Sequence, residues 1–144
     1  MPDHLPTFRR LHELVDLARR GAPLFVRYSG GPAEDRGSRS TDYESGLELP
    51  GLSVNPLRPE PWWSRPLEHW LARQLCAYAH LGEEDDKVPW VLSGEVVGRG
   101  PDNEPLVGSF EPLAYLHNSL VVEAGVLYES AFAVSRGSAN HHEC

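Results

Sequence analysis

Apolar residues recur at two different periods along this chain, and the two periods mark out its elements. Phe8, Leu11, Leu14, Val15 and Ala18 fall on one face of a helix over residues 8–20, with Thr7 placed to cap it and Gly21 to stop it. Leu67, Trp70, Leu71, Leu75, Tyr78 and Ala79 repeat that spacing from Ser64, a capping residue, through about Leu81. A third stripe, Leu116, Leu120, Val121, Ala124, Leu127, Tyr128, Ala131 and Phe132, predicts one or two helices between Pro112 and Val134.

The other period is the short apolar run of a strand. Pro23 to Ser29 is β-branched and aromatic and ends at Gly30-Gly31-Pro32, a strong turn signal. Gly51 to Asn55 reads as a second strand. Pro89 to Val97 reads as a third, with a turn over Gly98 to Pro105 and Leu106-Val107 returning as its partner. Two stretches fit neither period. Residues 32–46 are polar and predict a long loop, and Glu83-Glu84-Asp85-Asp86 an exposed acidic turn. Leu47 to Trp63 combines turn residues with adjacent tryptophans, the pattern of an ordered loop held by its own side chains.

Helices and strands thus mix without regular alternation, which predicts an α+β fold. The expected architecture is a small mixed or antiparallel sheet with about three helices. Residues 1–134 are expected to form one compact domain, with 135–144 a disordered tail.

Composition narrows the function classes. A net charge of −8 and a pI near 5.3 argue against non-specific nucleic-acid binding, which needs a basic face. No apolar run approaches the roughly 18 residues of a membrane span. MPDHLPTFRR lacks the apolar centre of a signal peptide, so the expected compartment is the cytoplasm. The two cysteines, Cys76 and Cys144, do not make a disulfide framework; Cys76 reads as a small buried apolar group. The seven histidines are scattered, and His141-His142-Glu143-Cys144 falls in the tail, so no metal site is expected.

Candidate chemistry is sparse. No Gly-x-Ser-x-Gly elbow occurs, and Gly98-Arg99-Gly100 opens no helix. Three polar residues do sit at the ends of strand-like segments: Arg27 in LFVRYSGG, Ser53 in LPGLSVNP and Glu104 in RGPDNEPLV. An arginine within a strand requires an anion or a carboxylate partner. Asp102 and Glu104 would project on the same side of an extended segment. The plainer reading pairs Arg27 with Glu44 or Glu48, makes Asp102-Asn103-Glu104 a hairpin turn, and gives Ser53 a backbone group to satisfy.

Arg27, Ser53 and the acidic-x-Glu turn resemble the Arg-Ser-Glu pattern of ADP-ribosyltransferases. Ser53 stands in Leu-Ser-Val rather than a Ser-Thr-Ser cluster, and Asp102 replaces the usual Glu or Gln. The resemblance implies a small enzyme with NAD as donor. Arg27 would contact the dinucleotide phosphates and Ser53 the nicotinamide-side ribose. Glu104 would hold the ribose hydroxyl and stabilise the charge that develops as nicotinamide leaves. Separately, RYSGGP, GLELPGLSVNPL, PEPWW and GRGPDNEPLV resemble a family of small, uncharacterised actinobacterial proteins, over about residues 22 to 130.

Two functional classes follow. One is an enzyme acting on a nucleotide or dinucleotide, with Arg27, Ser53 and Glu104 in one cleft and Trp62 or Trp63 stacked on a ring. It requires those side chains to converge and Arg27 not to be neutralised by a carboxylate. The other is a binding or regulatory module whose Pro/Trp loop and last helix meet a protein partner, or a second copy of the chain.

Overall fold

The computed structural model describes residues 5–36, 39–42, 44–82 and 87–132. The acidic run 83–86, the tail 135–144 and its His-His-Glu-Cys cluster lie outside the described residues. The elements run β1 Thr7–Phe8, α1 Leu11–Ala18, β2 Phe25–Ser29, α2 Pro32–Asp35, β3 Leu52–Ser53, β4 Asn55–Pro56, α3 Leu67–Tyr78, β5 Val88–Arg99, β6 Pro105–Leu116 and α4 Asn118–Phe132. The architecture is α+β, as expected: one curled mixed sheet and four helices among the described residues, three of them longer than one turn.

Several boundaries depart from the periodic reading, each for a physical reason. Thr7 caps nothing. It pairs in β1, parallel to Tyr115 of β6, and Glu13 Oε1 instead closes the helix start by accepting the Arg9 and Arg10 N–H groups at 2.8 and 3.1 Å. α3 begins after Pro66 rather than Ser64, and the Trp63 indole N–H reaches forward to the Pro66 carbonyl at 3.2 Å. Residues 32–35, expected as loop, form the one-turn helix α2 with Pro32 at its first position, where a missing N–H costs nothing.

The largest departure is at 112–116, expected to start a helix and found in β6. Pro112 sits opposite Leu92, and the register shifts beside that pair so that the next pair is Val91 with Ala114. A proline is tolerated in a ladder at such an irregularity. The helix then starts at Asn118 and runs unbroken.

Strand order is β1-β6-β5-β2-β4, with β3 paired to β6. The chain over 52–56 therefore joins both ends of the β6-β5-β2 unit. Leu52 and Ser53 pair with Val107 and Leu106 of β6, and Asn55 and Pro56 with Val26 and Phe25 of β2. Val54, between them, is fully buried, and its N–H bonds the Pro105 carbonyl at 3.1 Å. Register shifts in β5–β6 supply the bend, and the sheet curls nearly onto itself. Phe25, Leu52, Val54, Trp90, Leu92 and Val107 fill the inside of the curl.

The outer face carries the second core, where α1, α3 and α4 pack Leu14, Leu71, Leu75 and Leu120 against Val26 and Val91 of the sheet. Each such leucine contributes about 1.5–3 kcal/mol by leaving water. Cys76 on α3 is only half-buried and is disulfide-bonded, so it is not the small buried apolar group its helical spacing suggests. No helix among the described residues is long and apolar enough to cross a membrane.

Candidate functional site

The curl brings together groups that are distant in sequence. β2 carries Arg27, the crossing segment carries Ser53 and Asn55, and the β5–β6 turn carries Asp102 and Glu104. All five line one open cleft of about 450 Å³. Leu52 and Val54 point into the inner core, so the alternation of an extended segment turns Ser53 and Asn55 toward the cleft. Tyr78, from the end of α3, forms part of its wall.

The contacts are specific. Ser53 Oγ donates to Glu104 Oε2 at 2.9 Å, across 51 residues of sequence. Glu104 Oε1 accepts the Asp102 backbone N–H at 2.9 Å, so the carboxylate is held at both oxygens. It lies over Gly100, where a Cβ would collide with it. Asp102 and Glu104 face the cleft through a tight turn rather than an extended segment. Gly100 N–H bonds the Glu104 carbonyl at 2.9 Å, and Asn103 takes φ 64°, a conformation asparagine tolerates well.

Arg27 is half-buried and has two anchors. Its Nε donates to Asp35 Oδ2 at 2.7 Å and its Nη1 to the Ser53 carbonyl at 2.8 Å. The partner carboxylate is thus Asp35 of α2, neither Glu44 nor Glu48, and the arginine is neutralised: the side chains converge, but the second condition set above for the enzyme reading is not met. Asp35 is the residue that sequence reading missed. Its one faint signal is the Gly31-Pro32 start followed by Asp, which a four-residue helix turns back under the strand.

Two tyrosines beside the cleft carry shifted hydroxyls. Burial, with a smaller contribution from nearby Tyr78, pushes Tyr28 up to about 12. Its hydroxyl is buried with no hydrogen-bond partner among the described residues. Burial also raises Tyr78, whose hydroxyl donates to the Pro56 carbonyl and accepts from Gln74.

Trp62 and Trp63 do not line the cleft. They stack edge-on with Trp70 of α3, with centroids 5.0–6.2 Å apart, and anchor the Pro-rich loop to the helix layer. Trp62 stays 66% exposed. Among the described residues no group of three or more His, Cys, Asp or Glu side chains is placed to hold a metal ion.

Fold and cleft together define a small α+β protein with a polar cleft at the mouth of a curled sheet. The chain belongs to the family of unknown function DUF6098, whose model matches residues 1–140. No curated protein and no solved structure matches it.

Proposed function

We propose that the chain is a small enzyme acting on a nucleotide, with NAD as donor and the Arg27–Ser53–Glu104 cleft as its site. The observation that carries this reading is the Ser53–Glu104 hydrogen bond formed beside Arg27 in one cleft. A carboxylate and a guanidinium side by side suit a phosphorylated ribose. The carboxylate accepts from ribose hydroxyls, and the guanidinium donates to phosphate oxygens. Tyr78 takes the wall position first expected of Trp62 or Trp63.

In the proposed reaction the bond between the ribose anomeric carbon and the nicotinamide nitrogen breaks, and the electron pair leaves with nicotinamide. Glu104 stabilises the positive charge that develops on the ribose ring until an acceptor nucleophile attacks the anomeric carbon and loses its proton. Ser53 holds Glu104 in place. Arg27, already paired with Asp35, meets phosphate through directional hydrogen bonds from Nη2, which has no partner among the described residues.

The test is nicotinamide release from NAD by the wild type and by Glu104→Gln. The expected result is release by the wild type and a loss of about 100-fold or more in the variant. Equal release by both proteins, or none by either, would sink the assignment.

A second reading has one observation in its favour. Trp62 is exposed in a cluster that is otherwise packed, which suits a protein-binding surface. Under that reading Trp62→Ala abolishes self-association or partner binding, and Glu104→Gln leaves it unchanged.

A further inference from the structure

Building on the nucleotide reading above, we propose that Asp35 is a positioning residue that fixes the Arg27 guanidinium in the cleft. Local geometry is built to deliver this carboxylate. Gly31 takes φ 120°, a conformation that side-chain-bearing residues rarely adopt, and Pro32 starts the single turn of α2. The Asp35 N–H then closes onto the Gly31 carbonyl at 3.2 Å. The result is an aspartate whose side chain is only 8% exposed, beneath the strand that carries Arg27.

A rigid core holds that carboxylate in turn. Asp35 Oδ2 accepts from Ser29 Oγ at 2.5 Å as well as from Arg27 Nε. Ser29 Oγ itself accepts two N–H groups, from the Trp90 indole at 3.0 Å and the Gly31 backbone at 3.1 Å. Both of those partners are donors, so the one hydroxyl proton of Ser29 is committed to Asp35. Trp90 is fully buried within the curl. The chain Trp90–Ser29–Asp35–Arg27 therefore runs from the inner core to the cleft. With Nε fixed by Asp35 and Nη1 by Ser53, a planar guanidinium has no rotation left to it.

Asp35 also cancels the charge of Arg27, and the two roles predict opposite signs. If the carboxylate merely neutralises, its removal strengthens attraction for a phosphate. If it positions, its removal weakens binding although the site becomes more positive. The deciding experiment is equilibrium binding of NAD to the full chain as wild type, Asp35→Ala and Asp35→Asn, with circular dichroism to confirm folding. Positioning predicts binding weakened about tenfold or more by Asp35→Ala. It predicts a smaller loss for Asp35→Asn, whose carbonyl can still accept from Arg27 Nε. Unchanged or tighter binding by folded Asp35→Ala, or a loss in Asp35→Asn as large as in Asp35→Ala, overturns the proposal.

A wild type that binds no NAD defeats the nucleotide reading rather than this one. Proton exchange at Arg27 Nε, followed by nitrogen-15 NMR, then decides. Slow exchange in the wild type and fast exchange in Asp35→Ala, with β2 backbone amides unmoved, supports positioning. Equal exchange in both proteins overturns it.

Discussion

Glu104 is held at both oxygens, and the geometry of a single glycine leaves room for it. A Cβ at Gly100 would stand where the carboxylate lies, and the side chain that must yield is flexible. Gly100→Ala is therefore expected to change stability by under about 1 kcal/mol while displacing the carboxylate from Ser53. Thermal denaturation together with NAD binding checks this: a near-normal midpoint with binding lost, against both retained. The buried Tyr28 hydroxyl makes a different prediction. Its folded-state value is raised to about 12 from an ordinary 10, so its contribution to stability is fully present below pH 10 and is lost as pH rises toward 12. Tyr28→Phe removes an unpartnered buried hydroxyl. It should leave stability at neutral pH equal or higher and flatten the alkaline loss, as read by urea unfolding across that range. At this scale Arg27, Ser53, Asp102 and Glu104 were legible as candidates: Ser53 ends a short strand, Asp102 and Glu104 fall in the turn before β6, and Arg27 is a charge in the middle of the apolar strand β2. Asp35 was not, because a one-turn helix has no period to read.

Among the elements, long stripes were legible and short pairings were not. The helices around Leu14, Leu71 and Ala124 stand where the 3.6-residue period puts them, since that period repeats over several turns in each. The pattern over 112–116 predicts helix because Leu116 happens to continue the stripe of α4 backwards. Its partner β5, not its own period, makes it a strand. Thr7 fits a cap on local pattern alone for a similar reason: its pairing with Tyr115 is formed across more than a hundred residues and leaves no local trace. The Trp62–Trp63 pair marked an ordered loop, but its contacts depend on Trp70, one turn into α3. Leu71, fully buried where α3 meets the sheet, tests the packing at this scale. Leu71→Ala is expected to cost about 2–5 kcal/mol in denaturant unfolding. A loss under about 1 kcal/mol would mean that the helix layer is not seated as described.

For the molecule as a whole, the curl of the sheet is what makes the cleft. Arg27 and Ser53 lie 26 residues apart, and Ser53 and Glu104 lie 51 apart. They meet because residues 52–56 pair with β6 at one end and β2 at the other. A rigid inner core behind them, with Trp90 at its centre, keeps the cleft preformed, which spares a ligand part of the ordering cost of binding. A net charge of −8 opposes an anionic ligand at long range, so the proposed nucleotide binding would draw its affinity from the local donors in the cleft. The most direct measurement is chemical-shift mapping of backbone amides, the Arg27 side chain and the tryptophan indoles during titration with NAD. The account predicts the largest shifts at Arg27, Ser53, Asn55, Asp102 and Glu104, with the Trp62 and Trp63 indole signals unmoved. Shifts centred on Trp62 and Trp63, or none at high NAD, would contradict it.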